Sequence, residues 1–144
     1  MIAEALFCLA LNAYHEARNQ GMRGMAAVSQ VVINRVESDL YPSDVCGVVF
    51  QGPTKPSWKN PDIHYPVRHR CQFSWYCDGK DDTPRDQTAW NEARLVATGV
   101  LYGRLNNYVG DSLWYHAHYV TPGWARSKKK VAEIGDHIFY EKKK

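Results

Sequence analysis

The most strongly patterned stretch of the chain is IAEALFCLALNAYHEAR, residues 2–18. Its apolar residues recur at intervals of three and four, which predicts a helix with one buried stripe; they are Ile2, Leu6, Leu9, Ala10, Ala13 and Ala17. Glu16 follows Ala13 by three positions, so it lies on or beside this stripe near the helix end. Partial desolvation there should raise the pKa of the carboxyl group and keep it protonated near neutral pH, as a general acid requires. The alternative is the common role of a glutamate at a helix end, a solvated or capping side chain.

The rest of the chain predicts more helices, followed by strands. A second helix follows a turn at residues 19–24, a short third helix begins near residue 42 with Ser43 as its N-cap, and a fourth runs from Thr83 to about Tyr102. Alternating residues predict strands over 113–120 and 137–140. Residues 52–70 contain four prolines and are predicted to form a long, irregular and functional loop. This order indicates an α+β fold, dominated by helices with a small β-sheet, in a single domain over residues 1–144.

Composition excludes several functional classes. The chain has 144 residues, of which 44% are hydrophobic, so extensive disorder is not expected. The net charge of +3 is mild, and the basic residues lack the aromatic interleaving of a nucleic-acid reader. The runs Lys128–Lys130 and Lys142–Lys144 are interpreted as solvated ends. No stretch is long enough to span a membrane, and residues 2–13 lack the basic leader of a signal peptide, so we interpret them as part of the fold.

The four cysteines do not by themselves indicate whether the protein works in an oxidising or a reducing compartment. No C-x-x-C pair occurs, so a structural zinc site is not expected. Cys8 and Cys46 are interpreted as small buried residues with free thiols. Cys71 and Cys77 flank an aromatic segment and could close a small disulfide loop if the protein works outside the cytoplasm.

Six short motifs occur in one order along nearly the whole chain. They are YHEAR at 14–18, AAVSQVVINRV at 26–36, YPSDVCGVVFQ at 41–51, CQFSWYCDG at 71–79, WYHAHYVTPGWA at 114–125 and IGDHIFY at 134–140. Together they resemble the cell wall hydrolase family of the spore cortex-lytic enzyme SleB. The segment at 71–79 looks most like the Gram-negative and phage branch of that family.

The resemblance implies a lysozyme-like domain that acts on peptidoglycan, with Glu16 at the position of the family's catalytic glutamate. Family members are often labelled N-acetylmuramoyl-L-alanine amidases, whereas the better-supported activity is that of a lytic transglycosylase. That reaction needs only one carboxyl group, while a hydrolytic lysozyme usually needs a second. Glu92 and Glu133 are candidates for a second acid by residue type alone.

Several polar and aromatic residues are candidates for binding the sugar. Amide, hydroxyl and imidazole groups suit sugar hydroxyls, which favours Gln72, Ser74, Tyr115 and His116. Phe73, Trp75 and Trp124 could either line a groove or pack in the core. Asn34 and Arg35, on the second helix, are candidates for a buried network that orients other residues.

Two other functions remain as alternatives. A zinc amidase could use His116, His118 and His137 as ligands with Glu16 as base, but position 19 is Asn, so the HExxH motif is absent. A non-catalytic wall-binding module would not need a desolvated acid. We therefore expect no metal and no cofactor, a monomer that acts on glycan strands, and no nucleic-acid or membrane partner. The expected location is the cell envelope, the periplasm or the medium. If the protein is a phage endolysin, it would instead lie in the host cytoplasm before release, and the sequence does not distinguish a phage from a bacterial origin.

Overall fold

Helix α1, Ile2–Ala17, lies at the centre of the molecule. The computed structural model describes residues 2–144. Helices α2, Gly21–Val36, α3, Val45–Val49, and α4, Gln87–Leu101, all pack against α1. Every residue of α1 from Cys8 to Tyr14 is buried. The prediction of one buried stripe is therefore wrong for the middle of this helix, because neighbouring helices cover it on several sides.

The helix starts differ from those predicted from the sequence. Helix α2 begins at Gly21, inside the predicted turn. Asp44, and not Ser43, caps α3, since its carboxylate accepts a hydrogen bond from the Gly47 N–H. Asp86 caps α4 in the same way through the Ala89 N–H. In both cases the aspartate is the polar residue immediately before the first helical residue.

The end of α4 and its buried face were predicted correctly. Its buried residues are Ala89, Ala93, Val96, Ala97 and Val100. Thr83 does not open this helix, because its N–H and hydroxyl both donate to the Asp81 carboxylate. These two bonds hold residues 81–83 in a turn instead.

A three-stranded antiparallel sheet completes the fold. It contains β3, Trp114–Ala117, β4, Lys128–Ile134, and β5, His137–Lys142, in the order β3-β5-β4. Strand β4 was not predicted, and its first three residues are the lysines interpreted as a solvated end. Lysines are common on edge strands, where they discourage pairing with other chains. The second lysine run also contributes Lys142 to β5.

The two faces of this sheet have different surroundings. Tyr115 and Ala117 pair with Phe139 and His137, and Phe139 is fully buried, so this face packs on the helices. His116 pairs with Ile138 on the opposite, outer face. The combination of four helices with this small sheet is an α+β fold dominated by helices, as predicted.

The proline-rich loop contains a short hairpin. Strands β1, Thr54–Pro56, and β2, His64–Pro66, pair antiparallel, and no residue from Gly52 to Arg70 is buried. The prediction of an irregular loop missed these strands, each of three residues. Strands this short with two prolines among their six residues carry no usable periodic signal.

Two disulfides link the four cysteines. One joins Cys71 to Cys77 and closes the loop around the first 3-10 helix, Ser74–Cys77. The other joins Cys8 to Cys46 and ties α1 to α3. The prediction of free thiols at Cys8 and Cys46 is therefore wrong, and residues 2–144 contain no free cysteine. The two residues are 38 positions apart, and only the packing of α3 on α1 brings them together.

Within residues 2–144, no helix combines the length and the apolar character needed to cross a bilayer.

Candidate active site

Glu16 is the penultimate residue of α1 and its side chain is half-buried. The Tyr115 hydroxyl, on β3, donates a hydrogen bond to Glu16 Oε1. The positive charge of Arg35, on α2, also acts on this carboxyl group. Three elements thus converge on Glu16: the central helix, the second helix and the sheet.

Burial raises the pKa of Glu16 above its ordinary value. The hydrogen bond from Tyr115 and the charge of Arg35 both favour the carboxylate and lower this pKa, but desolvation is the larger effect. Burial and the neighbouring Glu16 raise the pKa of Tyr115 well above its usual range, so the phenol keeps its proton. The site therefore holds a carboxyl group with a raised pKa beside a protonated phenol that donates a hydrogen bond to it.

Tyr115 is held in place by aromatic neighbours. Its ring lies 5.4 Å from that of Phe139, 5.0 Å from that of His137 and 6.5 Å from that of Phe73, measured between ring centroids. These contacts leave the ring little freedom to rotate away from Glu16. The hydroxyl is thereby fixed at the carboxyl group.

Arg35 and Asn34 both donate hydrogen bonds to the chain before β3; Arg35 is buried, as expected, whereas Asn34 is half-buried. Arg35 is only 4% exposed, and its Nε donates to the Leu113 carbonyl at 2.8 Å. Asn34 Nδ2 donates to the carbonyls of Gly110, at 3.0 Å, and Ser112, at 2.9 Å. The end of α2 therefore fixes the chain just before β3, and this helps to position Tyr115 relative to Glu16.

The Cys71–Cys77 loop packs on the C-terminal half of α1. Trp75 Nε1 donates to Asn12 Oδ1 at 2.9 Å, and the Trp75 ring stacks on His15 with centroids 4.5 Å apart. Phe73 and Trp75 are both buried, so packing is their main role. Gln72 and Ser74 flank Phe73 and are exposed. The loop thus presents the amide and hydroxyl groups of Gln72 and Ser74 to solvent beside the Phe73–Tyr115 contact.

His116 is not brought to this site. Since neighbouring residues of a strand point to opposite faces, His116 faces away from the side that carries Tyr115. Its Nε2 lies 2.8 Å from the Tyr140 hydroxyl, and its ring contacts Trp124 at 5.7 Å between centroids. Strand alternation thus places His116 on the opposite side of β3 from Tyr115, and its predicted contact with the sugar stays a prediction.

The three histidines of the zinc alternative do not converge. His118 Nε2 lies 3.6 Å from Asp136 Oδ1 at the surface, while His116 packs on Tyr140. His137 lies on the inner face against Tyr115, and desolvation lowers its pKa. Among residues 2–144, no three His, Cys, Asp or Glu side chains are grouped so that they could hold a metal ion.

The candidate second acids take no part in the Glu16 network. Glu133 is exposed and paired with Lys130. Glu92 is half-buried on α4, and it is not among the groups that act on Glu16. Sequence reasoning missed the partnership of Glu16 with Tyr115, which it interpreted as a sugar ligand; the two residues are 99 positions apart and no local pattern connects them.

The model of the cell wall hydrolase family matches residues 19–140. The chain belongs to this family. The match covers most of the chain and confirms the resemblance drawn from the six motifs. It begins three positions after Glu16, so membership of the cell wall hydrolases does not by itself assign a role to that residue.

Curated relatives of this cell wall hydrolase are spore cortex-lytic enzymes. That of Halalkalibacterium halodurans is 29% identical over 126 residues, which is 88% of this chain and 31% of the relative. That of Bacillus subtilis is 29% identical over 136 residues, or 92% of this chain and 36% of the relative. The chain therefore spans about a third of the length of these relatives.

Solved structures show the same fold. The catalytic domain of the germination-specific lytic transglycosylase SleB from Bacillus anthracis superposes with a TM-score of 0.69 at 24% identity, covering 95% of this chain and 93% of that domain. The catalytic domain of Bacillus cereus SleB superposes with a TM-score of 0.65, also at 24% identity, covering 95% of this chain and 89% of that domain. At this identity the likeness establishes the fold, which confirms the fold class predicted from the sequence.

Proposed function

We propose that this chain is a peptidoglycan lytic transglycosylase that cleaves the bond between N-acetylmuramic acid and N-acetylglucosamine. The observation that carries this proposal is the Glu16 carboxyl group, which is half-buried, has a pKa raised by burial and accepts a hydrogen bond from Tyr115. Membership of the cell wall hydrolase family supports peptidoglycan as the substrate. The name of the structural neighbour, a lytic transglycosylase, supports the same reaction class.

The first step uses Glu16 as a general acid. Because Oε1 accepts the Tyr115 hydroxyl, we assign the transferable proton to Oε2. This proton passes to the glycosidic oxygen as the bond from the muramic anomeric carbon to that oxygen breaks. The N-acetylglucosamine product leaves with a free 4-hydroxyl group. Positive charge then develops on the muramic ring, and Glu16 becomes a carboxylate that Tyr115 and Arg35 stabilise.

The second step uses the same carboxylate as a base. It accepts the proton of the muramic 6-hydroxyl group, whose oxygen attacks the anomeric carbon and closes a 1,6-anhydro ring. Glu16 is protonated again at the end, and no water is consumed. A site with a single acid is sufficient for this sequence, whereas an inverting hydrolase needs a second carboxylate to activate water.

Gln72 and Ser74 are the proposed contacts to the sugar. Their exposed side chains flank Phe73, which stacks on the ring of Tyr115. In this proposal Tyr115 acts on Glu16 and not as a primary sugar ligand, and no role in binding is assigned to His116. The proposed reaction requires no residue from a second subunit, and we propose that the chain acts as a monomer.

We place this activity outside the cytoplasm, where the wall is found. The two disulfides support an oxidising compartment, since such bonds are uncommon in the cytosol. Periplasmic, envelope-bound and secreted forms all fit, as does a phage endolysin that meets the wall only after release from the host cytoplasm.

Digestion of purified sacculi in ¹⁸O-labelled water tests the reaction class. We expect muropeptides with 1,6-anhydro ends, no incorporated label, and a mass one water lower than that of hydrolytic products. A parallel digest with a hydrolytic lysozyme serves as the control for labelling. Label at the muramic anomeric carbon would replace this proposal with hydrolysis, and release of free stem peptides would replace it with the amidase reaction.

A further inference from the structure

A cavity lies between the Cys71–Cys77 loop and the β1–β2 hairpin. Its volume is about 530 Å³. The residues that give it its chemical character are Lys55, Tyr65, Arg68, Tyr76, Gly79 and Lys80. Neither Glu16 nor Tyr115 lines it, so it is separate from the site described above.

The cavity is lined by positive charge without an acidic residue. Lys55, Arg68 and Lys80 all contribute to its wall, and no Asp or Glu does. Within residues 2–144, none of these three cations forms an ion pair. Of the neighbouring carboxylates in the chain, Asp81 pairs with Arg85, and Asp78 accepts a hydrogen bond from the Lys80 N–H at 2.9 Å. An anionic group in the cavity would therefore meet cations that form no ion pair within the protein.

Gly79 makes room for the guanidinium group of Arg68. A Cβ atom at position 79 would lie 2.6 Å from Arg68 Nη2, closer than real contacts allow. The φ angle of Gly79, +85°, is also one that favours glycine. Because residue 79 has no side chain, the Arg68 guanidinium group packs directly on the backbone at the cavity wall. This planar group can donate two parallel hydrogen bonds to a carboxylate.

Two tyrosines form the apolar part of the wall. Tyr76 packs against Phe50 with ring centroids 4.5 Å apart, which restricts its movement. Tyr65 is 41% exposed, and Lys55 Nζ lies 5.3 Å from its ring centroid. The cavity therefore combines cations with rigid aromatic surface, which suits a ligand that carries carboxylates on a short aliphatic backbone.

The disulfide loop connects this cavity to the Glu16 site. Phe73, at one end of the loop, contacts Tyr115, while Tyr76 lines the cavity three positions later. The same short disulfide-closed segment therefore contacts Tyr115 through one residue and lines the cavity through another.

We propose that this cavity binds the carboxylates of the acidic stem peptide attached to muramic acid. The inference rests on the proposed function, because the stem peptide branches from the sugar that Glu16 would act on. It adds a specificity determinant: strands that carry peptides would be preferred over bare glycan. A free phosphate would satisfy the same cations, so the experiment must separate the two anions.

The test compares two substrates and two variants. Arg68→Gln combined with Lys55→Gln removes two of the cations, while Arg104→Gln is the matched control, since Arg104 also lies over an exposed tyrosine, Tyr102, but outside the cavity. We expect the double variant to lose about tenfold in kcat/KM on peptide-bearing strands, the change that one charge-assisted hydrogen bond supplies. Strands stripped of peptide by an amidase should be cut equally by wild type, the double variant and the control. An equal loss on both substrates, or no loss on either, would overturn the proposal.

Binding to an inactive variant keeps this test independent of catalysis. In Glu16→Gln protein, titration with the soluble tetrapeptide L-Ala-D-Glu-diaminopimelate-D-Ala should shift the amide NMR signals of Gly79 and Lys80. Adding Arg68→Gln and Lys55→Gln should weaken that binding about tenfold. If phosphate shifts these signals at concentrations where the tetrapeptide does not, the peptide assignment is wrong. If wild type cuts neither substrate but the tetrapeptide binds, the cavity assignment stands and the proposed reaction fails.

Discussion

The hydrogen bond between Tyr115 and Glu16 defines the chemistry of this molecule at the scale of single residues. It is made by a hydroxyl group whose pKa is raised well above its usual range, so that it donates and does not ionise. The acceptor is a carboxyl group whose pKa is raised by burial. A protonated Glu16 can give up its proton, and the carboxylate that results is immediately stabilised by the same hydroxyl group and by Arg35.

Replacing Glu16 by Gln should abolish lysis of sacculi and leave the fold intact. Gln keeps the shape but has no proton to transfer, and loss of a general acid typically costs about 10²- to 10⁴-fold in rate. Since burial raises the pKa of Glu16, its ionisation opposes folding as pH rises through that pKa, so the variant should be no less stable than wild type in alkaline buffer. Turbidity loss of sacculi and thermal unfolding are the two measurements. Glu133→Gln, at an exposed ion pair, is the control and should lyse normally; comparable lysis by both variants would remove Glu16 from the mechanism.

Replacing Tyr115 by Phe should shift the pH profile to higher pH while lowering the maximal rate. The hydroxyl group lowers the pKa of Glu16, so its removal raises that pKa further, and the protonated acid persists at higher pH. The rate should fall about tenfold or more, because a hydrogen bond to a charged group contributes about 1.5–3 kcal/mol. The pH dependence of kcat, with Phe73→Leu as a variant that keeps the hydroxyl, is the measurement. An alkaline limb that stays in place would contradict the assigned role.

At the scale of elements, the disulfides fix two loops for different purposes. Cys8–Cys46 ties the buried centre of α1 to α3, and it closes a long loop of 38 residues. Cys71 and Cys77 are six positions apart, and their disulfide encloses the 3-10 helix. Tyr76 of this helix lines the cavity that also contains Lys55, Arg68 and Lys80. The first restricts a much longer segment of the unfolded chain, whereas the second mainly holds the local shape of the segment that carries Phe73 and Trp75.

Removing the two disulfides separately should have unequal effects on stability. Chain-entropy arguments give about 4 kcal/mol for the longer loop and about 2 kcal/mol for the shorter one. Double replacement of Cys8 and Cys46 by Ala should therefore lower the free energy of unfolding more than the same change at Cys71 and Cys77. Denaturant titration measures both values. Thiol titration of unreduced, unfolded wild type should find no thiol, and two reactive thiols would restore the assignment of Cys8 and Cys46 as free.

At the scale of the whole molecule, the site depends on the helices and the sheet meeting at one place. Helix α1 brings Glu16, the Asn34–Arg35 end of α2 fixes the chain before β3, and β3 brings Tyr115. The histidines that a zinc enzyme would need are distributed over both faces of the sheet and its surface. Several elements thus meet at the single acid Glu16, whereas the three candidate metal ligands do not converge on one point.

Incubation with EDTA should leave the lytic activity unchanged. His116, His118 and His137 do not converge, so the proposed reaction draws on no metal held by this chain. The measurement is lysis of metal-stripped sacculi before and after chelation, with a zinc-dependent amidase as the positive control for chelation. Loss of lysis that added zinc restores would favour the amidase reaction.

The local pattern of the sequence determined most of the helical architecture and singled out Glu16. Helices α1, α2 and α4 are long and periodic, so the buried positions of α4 could be read from spacing alone. The six motifs also placed the chain in its family. Such patterns can be recognised from the sequence alone because they depend on residues only a few positions apart.

Contacts between distant residues were decided only by the tertiary structure. Cys8 forms a disulfide with Cys46 because α3 packs on α1. Tyr115 reaches Glu16 because β5 and α2 hold β3 in position. Strand β4 was missed because its lysines belong to an edge strand whose partner, β5, comes later in the chain. His116 was assigned to the site by residue type, yet the two-residue period of β3 turns it away once Tyr115 points inward. The sequence specifies which groups are available, but their pairing depends on packing over long separations, which no local pattern encodes.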